Sequence, residues 1–158
     1  MTSANPIILY DGVCGLCNRF IQFVLHRDND DDGKQAVFRF ASLQSPLAAT
    51  ILKRHSVNSQ KPETVYVVLN AVVLNASQSG QSSGQPEERL LPRSDAVIFV
   101  LKQLGGIWRI AGQILKMIPR PLRDWGYSII ASNRYRIFGR FDTCPIPAPK
   151  HRQRFIDF

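Results

Sequence analysis

The apolar positions of this chain change period several times, and each change marks an element. Ile7-Ile8-Leu9-Tyr10 is a short unbroken apolar run closed by Asp11-Gly12. A run of that length ending in a turn signal predicts a buried strand. Leu16, Phe20, Phe23 and Val24 then recur at helical spacing, which predicts a helix from about Cys14 to Arg27, ended in the Asp-rich loop closed by Gly33. Ala36 to Ala41 alternates about Phe38 and Phe40 and predicts a second strand. Ser45-Pro46 is a helix start, with Ser as N-cap and Pro at the first helical position, for a short helix reaching about His55. Thr64 to Leu69 (TVYVVL) is rich in β-branched residues and predicts a central strand. Residues 75 to 88 (NASQSGQSSGQPEE) are polar, cannot pack, and predict a flexible loop. Arg89-Leu90-Leu91 reads as a strand returning from it.

The remainder is helical. Ser94 is placed to cap a helix with an apolar face of Val97, Val100, Leu101 and Leu104, ended by Gly105-Gly106. A second helix covers Ile107 to Ile118; Pro119 and Pro121 interrupt the pattern, and a third covers about Leu122 to Ser132. No internal repeat is present. A β-α-β start requires a crossover and parallel pairing, and the later β-β pair is expected to be antiparallel. The expected fold is α/β: a thioredoxin-like small mixed sheet with flanking helices and a helical C-terminal extension. We expect one domain over 1–158, with an insertion at 75–88 and the extension over 107–158.

Composition narrows the function. A chain of 158 residues with 44% hydrophobic content can bury a core. The start, MTSANP, has neither a basic region nor a long apolar stretch, unlike a secretory leader. The stretch Ile107 to Ile118 carries Arg109, Gln113 and Lys116, too many polar groups for a membrane span, which needs roughly 20 mostly apolar residues. Three cysteines, Cys14, Cys17 and Cys144, are too few for a secreted disulfide scaffold; the sparse usage fits a reducing, cytoplasmic setting. The net charge of +8 is uneven: Asp28, Asp30, Asp31 and Asp32 form an acidic run, and Lys102 to Arg154 is basic. The preferred reading of the basic stretch is a solvated helical surface, with no nucleic acid bound. Peripheral membrane contact by this C-terminal region is the lesser alternative.

The chemistry lies in Asp11-Gly12-Val13-Cys14-Gly15-Leu16-Cys17. A cysteine attacks as its thiolate, and one at a helix N-terminus faces free backbone N–H groups that stabilise the anion. Cys14 is expected there, one turn before Cys17. Cys14 would attack a substrate disulfide, and Cys17, expected to be the more buried, would resolve the mixed disulfide. Gly15 would let another chain approach closely. Asp11 is either a proton acceptor for Cys17 or simple turn chemistry. No cofactor is called for.

These residues resemble the D-x-x-C-x-x-C signature of the DCC thiol-disulfide oxidoreductase family. The resemblance continues through Leu91-Pro92-Arg93-Ser94-Asp95-Ala96, Gly105-Gly106-Ile107-Trp108, residues 133 to 140 (NRYRIFGR) and Cys144-Pro145-Ile146-Pro147. It implies a thioredoxin-like fold and thiol-disulfide exchange, with Cys14 as the presumed catalytic cysteine and residues 75 to 88 as an insertion. Thioredoxin-like proteins also place a cis-proline before the strand facing the cysteines. Pro62 is the nearest candidate here if the strand starts at Glu63, and Thr64 takes the substrate-contact position if it starts later; an ordinary trans proline ending a loop is the preferred reading of Pro62.

Cys144 is either a third redox player or a packing residue. Tyr135 and Phe138 are expected to face inward from a terminal helix, with Arg134, Arg136 and Arg140 outward. The leading function is a disulfide reductase, with a disulfide-containing protein or a small thiol compound as substrate and an unidentified electron donor. A soft-metal carrier using the CxxC to hold copper or zinc is the alternative, though no Met or second ligand pair accompanies it. A third reading is an adaptor with a vestigial CxxC.

Overall fold

The structure is a computed structural model that describes residues 5–28, 37–57, 65–70, 88–142 and 149–156. Four strands and five α-helices are present among them. β1 is Ile7–Tyr10, β2 Arg39–Ser42, β3 Tyr66–Leu69 and β4 Arg89–Pro92. They form one mixed sheet in the order β2-β1-β3-β4. β1 runs parallel to β2, with Ile7 opposite Arg39, and antiparallel to β3; β3 and β4 are antiparallel. The crossover, the antiparallel later pair and the central position of β3 are those expected of a thioredoxin-like plan.

Helices cover both faces, which is why all four residues of β1 are buried. Ile8, Tyr10, Phe40 and Val67 pack beneath α1 (Gly15–Arg27) and α3 (Arg93–Leu104), against Ile21, Val24, Ala96 and Val100. Ile7, Leu9, Ala41 and Val68 face the other way, onto Ala48, Ile51 and Leu52 of α2 (Pro46–Arg54). The two-residue alternation of each strand thus feeds two cores. Ser45 caps α2, accepting the Ala48 amide at 3.2 Å. α4 (Gly106–Met117) and α5 (Arg120–Phe138) follow, and a 3₁₀ turn (Pro149–Arg154) leads Phe155 back beside Phe40 at the β2 edge.

Three expectations are corrected. β2 begins at Arg39, because the Val37 and Phe38 amides bond instead to the Asp28 carboxylate, at 3.0 and 2.9 Å. The same carboxylate holds Arg154. Ser94 is not the cap of α3: Pro92 holds that position, and the buried Ser94 hydroxyl instead donates to Asp124 of α5 and accepts from Arg123. α5 runs to Phe138, past Ser132; within it the Ser132 and Asn133 side chains are satisfied by donating back to the carbonyls of Ser128 and Ile129, one turn earlier. Gly105, at φ +72°, separates α3 from α4 as expected, in a region that disfavours a side chain. The loop over 75–87, the acidic residues 30–32, Pro62, Thr64 and Cys144 lie outside the described residues.

Candidate functional site

β1 ends at Tyr10, and the next four residues turn the chain into α1. The turn is held by its own polar groups. Asp11 accepts the Val13 amide at 3.2 Å, and Asn18 donates to the carbonyls of Gly12 and Cys14 at 2.8 and 3.0 Å. Cys14 is the N-cap of α1 in extended conformation, and its Sγ accepts the Cys17 amide at 3.4 Å. A sulfur replaces the usual Ser or Asp oxygen of a cap, so the orphan donors of the first turn converge on a thiol.

Cys14 and Cys17 are both free thiols, and they are unequal. The hydrogen bond offered by the Cys17 thiol lowers the Cys14 pKa most; the Cys17 and Leu16 amides and the Arg134 charge add to it against burial, bringing it from 9.0 down to about 6. Cys17 moves strongly the other way: its proton is held in the bond to Cys14, and burial and the Cys14 charge both disfavour a second anion. One anion and one proton shared between two sulfurs is the resting state this geometry favours.

Asp11 is buried, and of the two roles weighed for it the hydrogen bonds show the turn bond to Val13. Besides its turn bond, it accepts Gln44 Nε2 at 3.0 Å and Arg134 Nη2 at 3.2 Å, and Tyr135 donates its hydroxyl to the same carboxylate. Arg134 is also buried, which corrects the expectation that the arginines of α5 all point outward: the charge of Asp11 draws it in. Tyr135 is exposed, which corrects the expectation that it faces inward; its hydroxyl is held by Asp11 and its ring lies against the guanidinium groups of Arg134 and Arg140. Sequence reasoning missed Gln44, Arg134 and Tyr135 as parts of this site. Arg134 and Tyr135 lie within the family-like stretch 133–140, but which of its side chains turn inward depends on a carboxylate 123 positions away.

Access to the thiols also differs from expectation. Cys14 is 0% exposed and Cys17 5%, so Cys14 is the more covered of the pair. The cover is the end of α5 and the residues after it. Gly15 donates its amide to the Gly139 carbonyl at 3.2 Å, Phe141 donates to Val13 at 2.8 Å, and Cys14 and Arg140 form a short antiparallel bridge. A Cβ on Gly15 would stand 2.2 Å from the Phe138 carbonyl oxygen. The close approach expected of another chain at Gly15 is made here by the protein's own C-terminal segment.

Cys17 instead lies in the wall of a cavity of about 560 Å³, formed between α1, α3, α4 and α5 and lined almost wholly by apolar side chains, among them Phe20, Val65, Leu115 and Leu122. Arg134 is one of its few polar boundaries. Among the described residues no three His, Cys, Asp or Glu side chains converge as metal ligands. Likewise, no described helix is long and apolar enough to cross a membrane.

Residues 8–140 match the family described as DCC1-like thiol-disulfide oxidoreductase. The chain is 32% identical over 152 residues to YuxK of Bacillus subtilis (strain 168), covering 96% of this chain and 94% of that protein. It is also 32% identical over 142 residues to the DCC family protein At1g52590, chloroplastic, of Arabidopsis thaliana, covering 90% of this chain and 70% of that one. No solved structure matches it.

Proposed function

The chain belongs to the DCC1-like thiol-disulfide oxidoreductase family, and from its general thiol-disulfide redox role we propose a two-cysteine exchange mechanism in which Cys14 attacks and Cys17 resolves. The observation that carries this reading is the placing of Cys14 at the N-cap of α1, where its sulfur meets the Cys17 thiol and accepts the Cys17 amide, an arrangement that lowers Cys14 to about 6 and raises Cys17. The Cys14 thiolate attacks one sulfur of a substrate disulfide. A Cys14–substrate bond forms, and the other substrate sulfur leaves as a thiolate. Loss of the Cys14 charge then removes both the acceptor and the repulsion that kept Cys17 protonated. Cys17 gives up its proton, attacks the Cys14 sulfur, and releases the second substrate thiolate, leaving a Cys14–Cys17 disulfide.

In this reading Asp11 takes the Cys17 proton, directly or through a water, and Arg134 compensates the negative charge as it passes between sulfur and carboxylate. Because Cys14 is covered, a protein or small-molecule disulfide reaches it only when residues 138–141 swing aside. Reduction of the substrate is the proposed direction, with a thiol donor restoring the pair. Stabilising the Cys14 anion favours the reduced dithiol and so works against that direction, which makes the midpoint potential the deciding quantity.

The test is a glutathione-buffer titration of the purified protein beside Cys14→Ser and Cys17→Ser. One two-electron transition, lost in both variants, is expected. Cys17→Ser should trap a mixed disulfide through Cys14. Failure to form a Cys14–Cys17 disulfide at any accessible potential overturns the mechanism, and trapping through Cys17 in Cys14→Ser alone reverses the roles.

A further inference from the structure

The surface of α4 and α5 carries two apolar stripes that the fold leaves uncovered. On α4 the inward side is formed by Trp108, which stacks edge-on against Phe23, and by Gly112, packed so close to α3 that a Cβ would meet the Ile98 carbonyl at 3.3 Å. Ile107, Ile110, Ile114 and Met117 recur at i, i+3, i+7 and i+10 on a different side, and all four are exposed, Met117 by 84% and Ile107 by 72%. α5 repeats the pattern with Leu122, Trp125 and Ile129, Trp125 being 64% exposed. A soluble surface scatters exposed apolar residues singly; four at helical spacing on α4 and three on α5 make two exposed apolar stripes, the mark of an interaction site.

The charges beside the patch identify its occupant. Arg109 and Lys116 of α4 and Arg136 of α5 are exposed, as is Arg120, which pairs with Asp95 of α3. α4 has no acidic residue, and the single one of α5, Asp124, is bonded to Ser94. Two copies of the chain meeting through this face would bring like charges together, with no carboxylate of α4 or α5 left to pair them. A lipid bilayer with anionic headgroups satisfies both features: acyl chains take the apolar stripe and headgroups the cations. Trp125, with an apolar ring and a polar N–H, suits the same boundary. We propose that α4 and α5 dock this protein onto the surface of an anionic membrane, lying in the interface rather than crossing it. Leu122, Trp125 and Ile130 are exposed and also line the cavity beside Cys17, so docking would set its mouth against the lipid. Binding of this face to lipid does not depend on the thiol chemistry.

The experiment is co-sedimentation of the full chain with vesicles of equimolar phosphatidylcholine and phosphatidylglycerol, and with pure phosphatidylcholine vesicles, while tryptophan emission is recorded. Binding to the anionic vesicles with a blue shift, weakened by salt, is expected. Arg109→Gln with Lys116→Gln should lower partitioning about fivefold per charge removed. Ile110→Ser with Ile114→Ser should lower it by on the order of tenfold or more. These side chains are exposed, so thermal melting and thiol-disulfide exchange should be unchanged in both variants. Equal binding to both vesicle types, or to neither, overturns the proposal. So does concentration-dependent dimerisation abolished by the isoleucine variant with no vesicle binding, which would assign the face to a second copy.

Discussion

Replacing Gly15 with alanine inserts one carbon into the tightest backbone contact of the site. The new Cβ would lie 2.2 Å from the Phe138 carbonyl oxygen and 3.1 Å from that of Gly139. Ordinary contact between carbon and oxygen needs about 3.2–3.5 Å, so the end of α5 must retreat by on the order of 1 Å. Backbone cannot rotate away as the tip of a side chain does. The retreat strains the Gly15–Gly139 and Phe141–Val13 hydrogen bonds, of 3.2 and 2.8 Å, each worth about 0.5–1.5 kcal/mol. Overpacking adds about 1–3 kcal/mol, while alanine returns up to about 1 kcal/mol as the better helix former. A net loss of about 1–6 kcal/mol follows from those ranges, the upper end applying if both hydrogen bonds are lost. Urea unfolding would read the loss. Alkylation of the reduced protein at neutral pH, mapped to Cys14, would read the uncovering, with a rate rise of at least about tenfold as the cover loosens. Native stability together with a native alkylation rate would refute the placing of residues 138–141 over Cys14. Lost stability with no faster alkylation would show that the segment does not control access.

Further outcomes follow from the charges. Alkylation of Cys14 should rise with pH about a midpoint near 6, and Cys17→Ala, which removes the largest stabilising bond, should move that midpoint toward the ordinary thiol range; stopped-flow rates across pH read both. Stability of the reduced protein should fall as pH drops from about 9 to 6. In that window the unfolded chain has bound a proton at Cys14 that the folded chain has not, while Cys17 is protonated in both. The slope should approach about 1.4 kcal/mol per pH unit and vanish in Cys14→Ser, as urea titrations at several pH values would show. Arg134→Met should cost about 3–5 kcal/mol by leaving the Asp11 carboxylate buried without its cation. Adding Asp11→Asn should recover part of that loss, and strict additivity of the two changes in a double-mutant cycle would contradict the pairing.

The local parts of this architecture were readable. The run before Asp11, the Ser45-Pro46 start and the TVYVVL strand depend on neighbours within a few positions, and short-range rules describe them. The CxxC at the head of α1 follows from the same rules, since a strand, a turn and a helical period stand in succession. What escaped depended on distance along the chain. Arg134 reads as a surface cation until Asp11 is known to stand opposite it, and Gln44 reads as loop until its amide is seen bridging Gly12 and Asp11. Ser94 has the chemistry of a cap, yet Asp124, 30 positions on, competes successfully for its hydroxyl. Gly15 offered space, and nothing nearby in sequence told whose backbone would take it.

The pairing of Asp11 with Arg134 spans 123 positions, and that has a consequence for how the protein is made. On the ribosome the CxxC emerges first, and the residues that charge-balance and cover it emerge more than 110 positions later. At translation speeds of about 5–20 residues per second, the nascent pair waits about 6–25 s for them. During that interval Cys14 has neither its arginine nor its cover, and is open to any oxidant or thiol that meets it. Completion of α5 is therefore the event that converts two exposed nascent thiols into a shielded, polarised pair.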